Sequence, residues 1–147
     1  MRALVLLAAL MLSAAWPAAA RDCGPDATQA DLNDCAGDGL RKADAALNET
    51  YGRIMSRLKP APSAAQALRE AQRAWLRFRD GECDFVTTGT EGGSIRPMLV
   101  AQCRQQLTEQ RVTQLRRYLS CQEGDLACPV PGAADRGTGP DRRRRAC

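Results

Sequence analysis

The sequence contains no histidine, and its aromatic residues are two Trp, two Tyr and two Phe. Without histidine the chain has no Ser-His-Asp or Cys-His catalytic pair and no histidine-containing zinc site. The absence of any C-x-x-C pair argues against a thioredoxin-like redox motif and a zinc ribbon. A dinucleotide-binding or P-loop enzyme would need more chain and a βαβ unit. We therefore expect one small domain that is not an enzyme and holds neither a cofactor nor a metal ion.

The formal net charge is +4, but the excess is confined to the two ends of the chain. Residues 1–20 contribute +1, residues 21–126 contribute zero and residues 127–147 contribute +3. The region expected to fold is therefore neutral, which weakens an interpretation of the protein as a generally basic, nucleic-acid-binding chain.

Residues 1–20 have the pattern of a secretory signal peptide. Arg2 is followed by an apolar stretch, Pro17 interrupts it, and Ala18–Ala20 offers a small-residue cleavage site. The apolar run is shorter than the roughly 20 residues of a spanning helix, although an uncleaved membrane anchor is the alternative. Cys23 does not directly follow a small-residue box, so a lipoprotein is not indicated. We expect a mature chain beginning near Arg21 that is periplasmic or secreted.

Three later segments have apolar residues at helical spacing. The first is expected from Thr28 to Leu58, with a kink or break possible near Gly37. The second is expected from Ser63, in a capping box with Gln66, to Gly81. The third is expected from about residue 94 to residue 118 or 119. These boundaries predict an all-α fold, a small antiparallel three-helix bundle stapled by disulfides.

The second helix has an apolar stripe that we expect to face the core. Leu68, Ala71, Trp75 and Phe78 form this stripe, and Arg79 falls off it. The helical domain as a whole is expected to occupy residues 21–120. Residues 121–147 form a Cys-containing, Arg-rich tail that we expect to be disordered, because apolar residues are sparse there.

Six of the cysteines are disulfide candidates, on the expectation of an oxidising compartment. The helix order places Cys23, Cys35, Cys83 and Cys103 at one end of the bundle, and their pairing is left open. Cys121 and Cys128 are close in sequence at the opposite end and would close a small loop. Cys147 is the remaining cysteine, either a free thiol or an intermolecular linker.

Three ordered groups of residues form a recognisable pattern across residues 22–120. They are Cys35 with Ala43–Asn48 and Tyr51; Ala71–Cys83; and Gly93–Ile95 with Pro97, Met98, Cys103, Leu107, Thr108 and Arg111. Together they resemble the N-terminal domain of the lysozyme inhibitor LprI family. The resemblance implies an exported, disulfide-containing helical domain, and it implies binding to a lysozyme-type muramidase. The missing lipobox and the Arg-rich tail depart from that family pattern.

Five polar residues lie in or beside the helical stripes and have two interpretations. The first is an interhelical network that fixes the register of the helices, since buried polar groups must be satisfied. The second is a recognition surface. The residues are Asp44, Asn48, Gln72, Arg73 and Arg111.

The segment between the second and third helices is the candidate binding loop of an inhibitor. It is rich in Gly and Thr, and it would block the muramidase cleft sterically. A neutral domain would not be steered strongly toward a cationic lysozyme, and the basic tail would oppose the association. The candidate contact residues are Phe85, Thr87, Thr88, Glu91 and Ser94.

Two other functions remain as alternatives. In the first, the bundle is a non-inhibitory envelope scaffold whose tail binds anionic polymer or lipid. The tail residues concerned are Arg142, Arg143, Arg144 and Arg145. The tail has no interleaved aromatic residues for base stacking, so we expect no nucleic-acid partner.

In the second alternative, the protein is a hydrolase, and Asp80, Glu82 and Asp84 would be its paired carboxylates. The lack of a nucleophile motif disfavours this function.

Overall fold

A computed structural model describes residues 23–121, 125 and 127–130 of the chain. Across these residues the fold consists of α1 (Gln29–Arg57), α2 (Pro62–Val86) and α3 (Arg96–Leu119), and none of them forms a β-strand. A short 3₁₀ turn, Thr88–Thr90, follows α2. The predicted all-α, disulfide-containing three-helix bundle is confirmed. The proposed signal segment, the four arginines at 142–145 and the last cysteine lie outside the described residues.

The first helix begins and ends close to where the sequence indicates. Thr28 is its N-cap: the Thr28 side chain accepts from the Asp31 amide at 3.3 Å, and the Asp31 carboxylate accepts from the Thr28 amide at 3.0 Å. This reciprocal pair satisfies two of the amides that a helix start leaves unpaired. The break considered near Gly37 does not occur, because α1 is continuous there. No helix in the described part of the chain is long and apolar enough to cross a membrane.

The predicted start of α2 is within one residue of the observed one, but its capping box and its predicted end are wrong. The helix begins at Pro62 with Ala61 as its N-cap, and no side chain caps it, so the capping box at Ser63 does not form. Proline suits this first turn, since its missing N–H would have no helical partner there. The helix also continues past Gly81 to Val86, and Gly81 has no positive φ angle. A glycine inside a helix costs only about 1 kcal/mol relative to alanine, which neighbouring contacts can offset.

The closest pair of helices is α1 and α3. Small buried side chains, Ala36 and Ala43 on α1 and Ala101 and Thr108 on α3, allow their backbones to approach. A cluster of buried apolar residues joins all three helices toward the end where α1 meets α2. The cluster consists of Leu47, Ile54, Leu58, Ala65, Val112, Leu115 and Val130.

The second helix packs on this pair with a face that overlaps the predicted stripe only in part, since Leu68 packs on the core as expected. Trp75 is partly buried against the core, but Phe78 is 56% exposed and Ala71 is also exposed. Arg79, predicted to lie outside the interface, has a side chain only 11% exposed. The α2 sequence has apolar residues on two faces, so its periodicity does not determine which one turns inward.

The segment that follows α3 also differs from the expectation of a wholly disordered tail. Cys121 and Cys128 form a disulfide, and Val130 is buried at 2% exposure within the core cluster. The disulfide closes a short loop that returns the chain to the bundle. Val130 therefore contributes to the folded domain, although it lies beyond the predicted limit at residue 120.

The other two disulfides lie at the opposite end of the bundle. Cys23 is bonded to Cys35, and Cys83 to Cys103. The first fixes the segment before α1 against that helix, and the second joins the end of α2 to the early part of α3. This pairing is one of the three that the sequence left open.

Candidate functional site

The connection between α2 and α3 is ordered by its own threonine side chains. Thr87 Oγ1 donates to the Cys83 carbonyl, Thr88 Oγ1 to the Phe85 carbonyl and Thr90 Oγ1 to the Thr87 carbonyl, each at 2.7 Å. Gly92 follows with a φ of 74°, a left-handed conformation that glycine adopts without a Cβ clash. The backbone of this connection is therefore fixed by local hydrogen bonds.

The same connection is fastened to all three helices. Arg96 Nη1 donates to the Thr87 carbonyl at 2.6 Å, and Asn33 Nδ2 on α1 donates to the Ser94 carbonyl at 3.1 Å. The Cys83–Cys103 disulfide joins the helices on either side of it. We call residues 88–95 the loop tip; apart from position 90, which is half-buried, all of these residues are exposed.

The candidate binding residues do not all belong to this loop tip. Thr88, Glu91 and Ser94 are exposed on it. Thr87 is 4% exposed and its hydroxyl is bonded internally, so its side chain is not available to a partner. Phe85 lies in the last turn of α2, where its ring is 75% exposed beside the loop tip rather than within it.

Charge is segregated along the bundle, although the domain as a whole is neutral. Near the loop tip, residues 23–38 contain four Asp and no basic residue, although Asp38 forms an ion pair with Arg41. Residues 82–103, which include the tip, contain three acidic residues and one basic residue, Arg96. At the opposite end, residues 50–62 and 110–120 contain basic residues and no acidic one. The end of the bundle with the loop tip therefore carries more acidic than basic side chains.

Two of the five predicted network residues form a buried pair. Arg111 is 8% exposed, and its Nε donates to Gln72 Oε1 at 3.1 Å. Its Nη1 donates to Gln114 Oε1 at 2.6 Å, and its guanidinium lies 5.8 Å from the centre of the Trp75 ring. Burial lowers the pKa of Arg111 from its ordinary value because desolvation disfavours the charged form. These contacts favour the structural interpretation for Arg111 and Gln72.

Sequence reasoning missed the residue that joins the three helices, Arg79 on α2. Its Nη1 donates to Asp44 Oδ1 on α1 at 2.9 Å and to Thr108 Oγ1 on α3 at 3.1 Å. The Thr108 hydroxyl in turn donates to the Arg104 carbonyl at 2.7 Å. The Arg79 guanidinium also lies 5.5 Å from the Trp75 ring centre, within the range of a cation–π contact. Asp44, a predicted network residue, thus has a partner that the sequence did not suggest.

The other two predicted network residues lie outside the buried network. Asn48 and Arg73 are exposed, and with Tyr51 and Gln72 they line a groove of about 260 Å³ between α1 and α2. Their positions suit a surface role better than the structural role expected for them.

Two of the three acidic residues considered for acid–base chemistry, Asp80 and Asp84, are held by arginines. Asp80 Oδ1 lies 3.0 Å from Arg79 Nε and 3.3 Å from Arg104 Nε, and Asp84 Oδ1 lies 3.4 Å from Arg104 Nη2. These ion pairs link the end of α2 to α3. Among the described residues, no group of Cys, Asp and Glu side chains could hold a metal ion.

Comparison with known proteins places these features in a family. The family model described as "Lysozyme inhibitor LprI" matches residues 20–115 of the chain. The chain is also 36% identical, over 138 residues, to an uncharacterized protein of Rhizobium meliloti (strain 1021). That alignment covers 84% of this chain and 99% of the relative. No solved structure matches the chain. The protein belongs to the lysozyme inhibitor LprI family.

Proposed function

We propose that this protein is an exported inhibitor of a lysozyme-type muramidase and that the loop tip blocks the substrate cleft of the enzyme. The family name supports the class of target. The observation that supports the surface is the anchoring of residues 88–95 by the Cys83–Cys103 disulfide and by hydrogen bonds from Asn33 and Arg96.

Rigidity is what a steric inhibitor needs from such a loop. Ordering a flexible interface costs about 0.5–1.5 kcal/mol for each immobilised side chain, and a preformed loop avoids much of that cost. Three side-chain hydrogen bonds meet at Thr87, two accepted by its carbonyl and one donated by its hydroxyl. The exposed side chains at the tip are small, apart from Glu91 and Ile95. A narrow, preformed projection of this kind fits a cleft shaped for a polysaccharide chain.

Charge complementarity supports the same end of the bundle. The aspartates of residues 23–38, of which Asp38 is paired with Arg41, and the loop-tip carboxylate of Glu91 give this end an excess of acidic side chains. A cationic lysozyme would be attracted to this end and repelled by the basic end, so the charge distribution would both accelerate and orient association. Basic groups on the enzyme near its cleft are the expected partners of Glu91.

Export is part of the proposal, because muramidase substrates lie in the cell wall. The N-terminal twenty residues have a signal-peptide pattern. The three disulfides of the fold are typical of an oxidising compartment such as the periplasm or the extracellular space. Both features favour a mature chain that meets its target outside the cytoplasm.

The proposal is tested by the turbidity of a cell-wall suspension during lysis. The purified mature chain, added in excess over each of several lysozyme types, should slow clearing by at least one of them. Serum albumin at the same concentration is the control for nonspecific crowding, and it should not slow clearing. Clearing at the uninhibited rate with every enzyme would refute the proposed function.

The run from Arg142 to Arg145 supports a second candidate function, contact with anionic lipid or polymer in the envelope. The full mature chain should bind anionic vesicles in a salt-sensitive manner, and deletion of residues 132–147 should abolish that binding. Binding that is absent, or that does not respond to salt, would refute this candidate without affecting the first.

A further inference from the structure

Both phenylalanines of the chain lie on the outer face of α2, away from the core. Phe78 is 56% exposed and Phe85 is 75% exposed. They are seven residues apart, so two helical turns separate them and their rings project from the same side, about 10 Å apart along the axis. Large exposed aromatic residues on one face commonly mark an interaction surface.

Small residues continue this face along most of α2. Ala67, Ala71, Ala74 and Gly81 are exposed, and together with the two phenylalanines they recur at alternating steps of four and three residues. This is the spacing of a coiled-coil seam, in which a second helix covers the stripe. We call these six residues the outer stripe.

Gly81 has no role within its own chain that requires glycine. It lies inside α2 without a positive φ, and a Cβ at this position would meet nothing within 4 Å. Glycine in a helix interior is nevertheless unfavourable by about 1 kcal/mol relative to alanine. A large side chain of a second molecule, placed over position 81, would account for the space that this residue leaves open.

We propose that the part of the outer stripe from Ala74 to Phe85 binds the same part of a second copy of this chain, with the two α2 helices antiparallel. The two-fold axis of this arrangement passes between positions 79 and 80 of both helices. In this register Phe78 of each copy faces Gly81 of the other. Phe85 of each copy then faces Ala74 of the other, so that each ring meets a small residue. A two-fold axis generates both contacts twice, as a closed dimer requires.

The side-chain sizes favour this direction over the parallel one. A parallel, in-register pair would place Phe78 against Phe78 and Gly81 against Gly81, so one layer would be crowded and the next would contain a gap. Voids and overpacked layers are both unfavourable in a close-packed interface. The antiparallel register instead gives each layer one large and one small residue, and it places the two loop tips at opposite ends of the helix pair.

The charges beside the stripe agree with the antiparallel register. Arg77 and Asp84 lie on the same edge of the outer stripe, seven residues apart, and both are exposed. In the antiparallel arrangement Arg77 of one copy lies near Asp84 of the other, and the symmetry repeats the pair. Asp84 keeps 59% of its side chain exposed despite its contact with Arg104 at 3.4 Å, so it can accept a second basic partner.

A single pair of helices buries less than the roughly 1,600 Å² of a standard interface, so we expect a dimer of micromolar affinity. Sedimentation velocity over a concentration series measures it, using the full mature chain with Cys147→Ser so that a covalent dimer does not contribute. The sedimentation coefficient should rise with concentration. A chain that remains monomeric up to submillimolar concentration overturns the proposal.

Variants of the stripe test the contact itself. Phe78→Ser and Gly81→Arg should each weaken dimerisation at least tenfold. Val86→Ser is the matched control, since Val86 is 55% exposed on α2 but lies on another face, and it should leave the dissociation constant unchanged. Circular dichroism checks that each variant retains its helix content. A dimer unaffected by Phe78→Ser and Gly81→Arg would overturn the proposal.

A charge exchange tests the register. Arg77→Asp and Asp84→Arg should each weaken the dimer severalfold. The double variant should recover most of the lost affinity, because opposite charges again lie at position 77 of each copy and position 84 of the other. Loss without recovery in the double variant would contradict the antiparallel arrangement.

Discussion

Arg79 Nη1, on α2, lies 2.9 Å from Asp44 Oδ1, on α1. The same nitrogen donates to Thr108 Oγ1 on α3 at 3.1 Å, so one guanidinium connects all three helices. The Arg79 side chain is 11% exposed whereas the Asp44 side chain is 40% exposed. Water therefore screens the ion pair from the side of the carboxylate, and its contribution is smaller than that of a fully buried pair.

The Arg79 contact predicts a measurable coupling between α1 and α2. Arg79→Met should lower the free energy of unfolding by about 2 kcal/mol, since hydrogen bonds to a charged group are lost while some packing is kept. Asp44→Asn should cost less. In a double-mutant cycle the coupling should be about 1 kcal/mol. Additive effects in denaturant unfolding would contradict the pairing.

Arg111 is predicted to matter for stability rather than for binding. Arg111→Ala removes the donor to Gln72 and the contact with Trp75, and it should lower the free energy of unfolding by about 2 kcal/mol. Arg117→Ala is the matched control, because Arg117 is exposed, and it should change stability by less than about 0.5 kcal/mol. An unchanged melting temperature for Arg111→Ala, with lost inhibition, would favour the surface interpretation instead.

The two glycines at the end of α2 and in the loop tip should respond oppositely to alanine. Gly81→Ala should raise the stability of the monomer by about 1 kcal/mol, because the position is helical with open space around it. Gly92→Ala should lower stability by about 1 kcal/mol, because its φ of 74° is strained for a residue with a Cβ. Thermal unfolding at low protein concentration measures both. Destabilisation by Gly81→Ala would indicate that α2 ends there.

The Cys83–Cys103 disulfide should support both the fold and the loop tip. Replacing both cysteines by alanine removes a link across a sequence separation of 20 residues and should cost about 3 kcal/mol. It should also weaken inhibition when lysis is assayed well below the melting temperature. Replacing Cys121 and Cys128 should lower stability but leave inhibition intact, since that disulfide lies at the other end of the bundle. Equal loss of inhibition in both variants would contradict a specific role for the loop tip.

The helices were predictable where the sequence contains strong local signals. Thr28 with Asp31 marks the start of α1, and the prolines after Leu58 mark its end, so both limits agree with the structure to within one residue. The end of α2 was missed because Gly81 is only a weak helix breaker. The buried Cys83 and the internally bonded Thr87 stabilise the extra turn, and the burial of Cys83 depends on tertiary structure.

The site was predictable in part. The Gly- and Thr-rich composition located the connection after α2, but it gave no sign that its hydrogen bonds make it rigid. The inward position of Arg79 depends on Asp44 and Thr108, which are distant in sequence, so no local pattern could indicate it. The predicted core stripe of α2 was right for Leu68 and Trp75 and wrong for Phe78, which is exposed. Periodicity identifies a stripe without identifying what covers each part of it.

The most direct test of the account is inhibition of lysis by two variants with the same change of charge. Glu91→Lys reverses the charge at the loop tip. Glu49→Lys does so at an exposed position on α1, about 24 Å along the helix from Asn33. The inhibition constant for a susceptible lysozyme should rise at least tenfold for Glu91→Lys and stay within twofold of the unmodified protein for Glu49→Lys. Equal inhibition by both variants would contradict the assignment of the loop tip as the surface that blocks the enzyme.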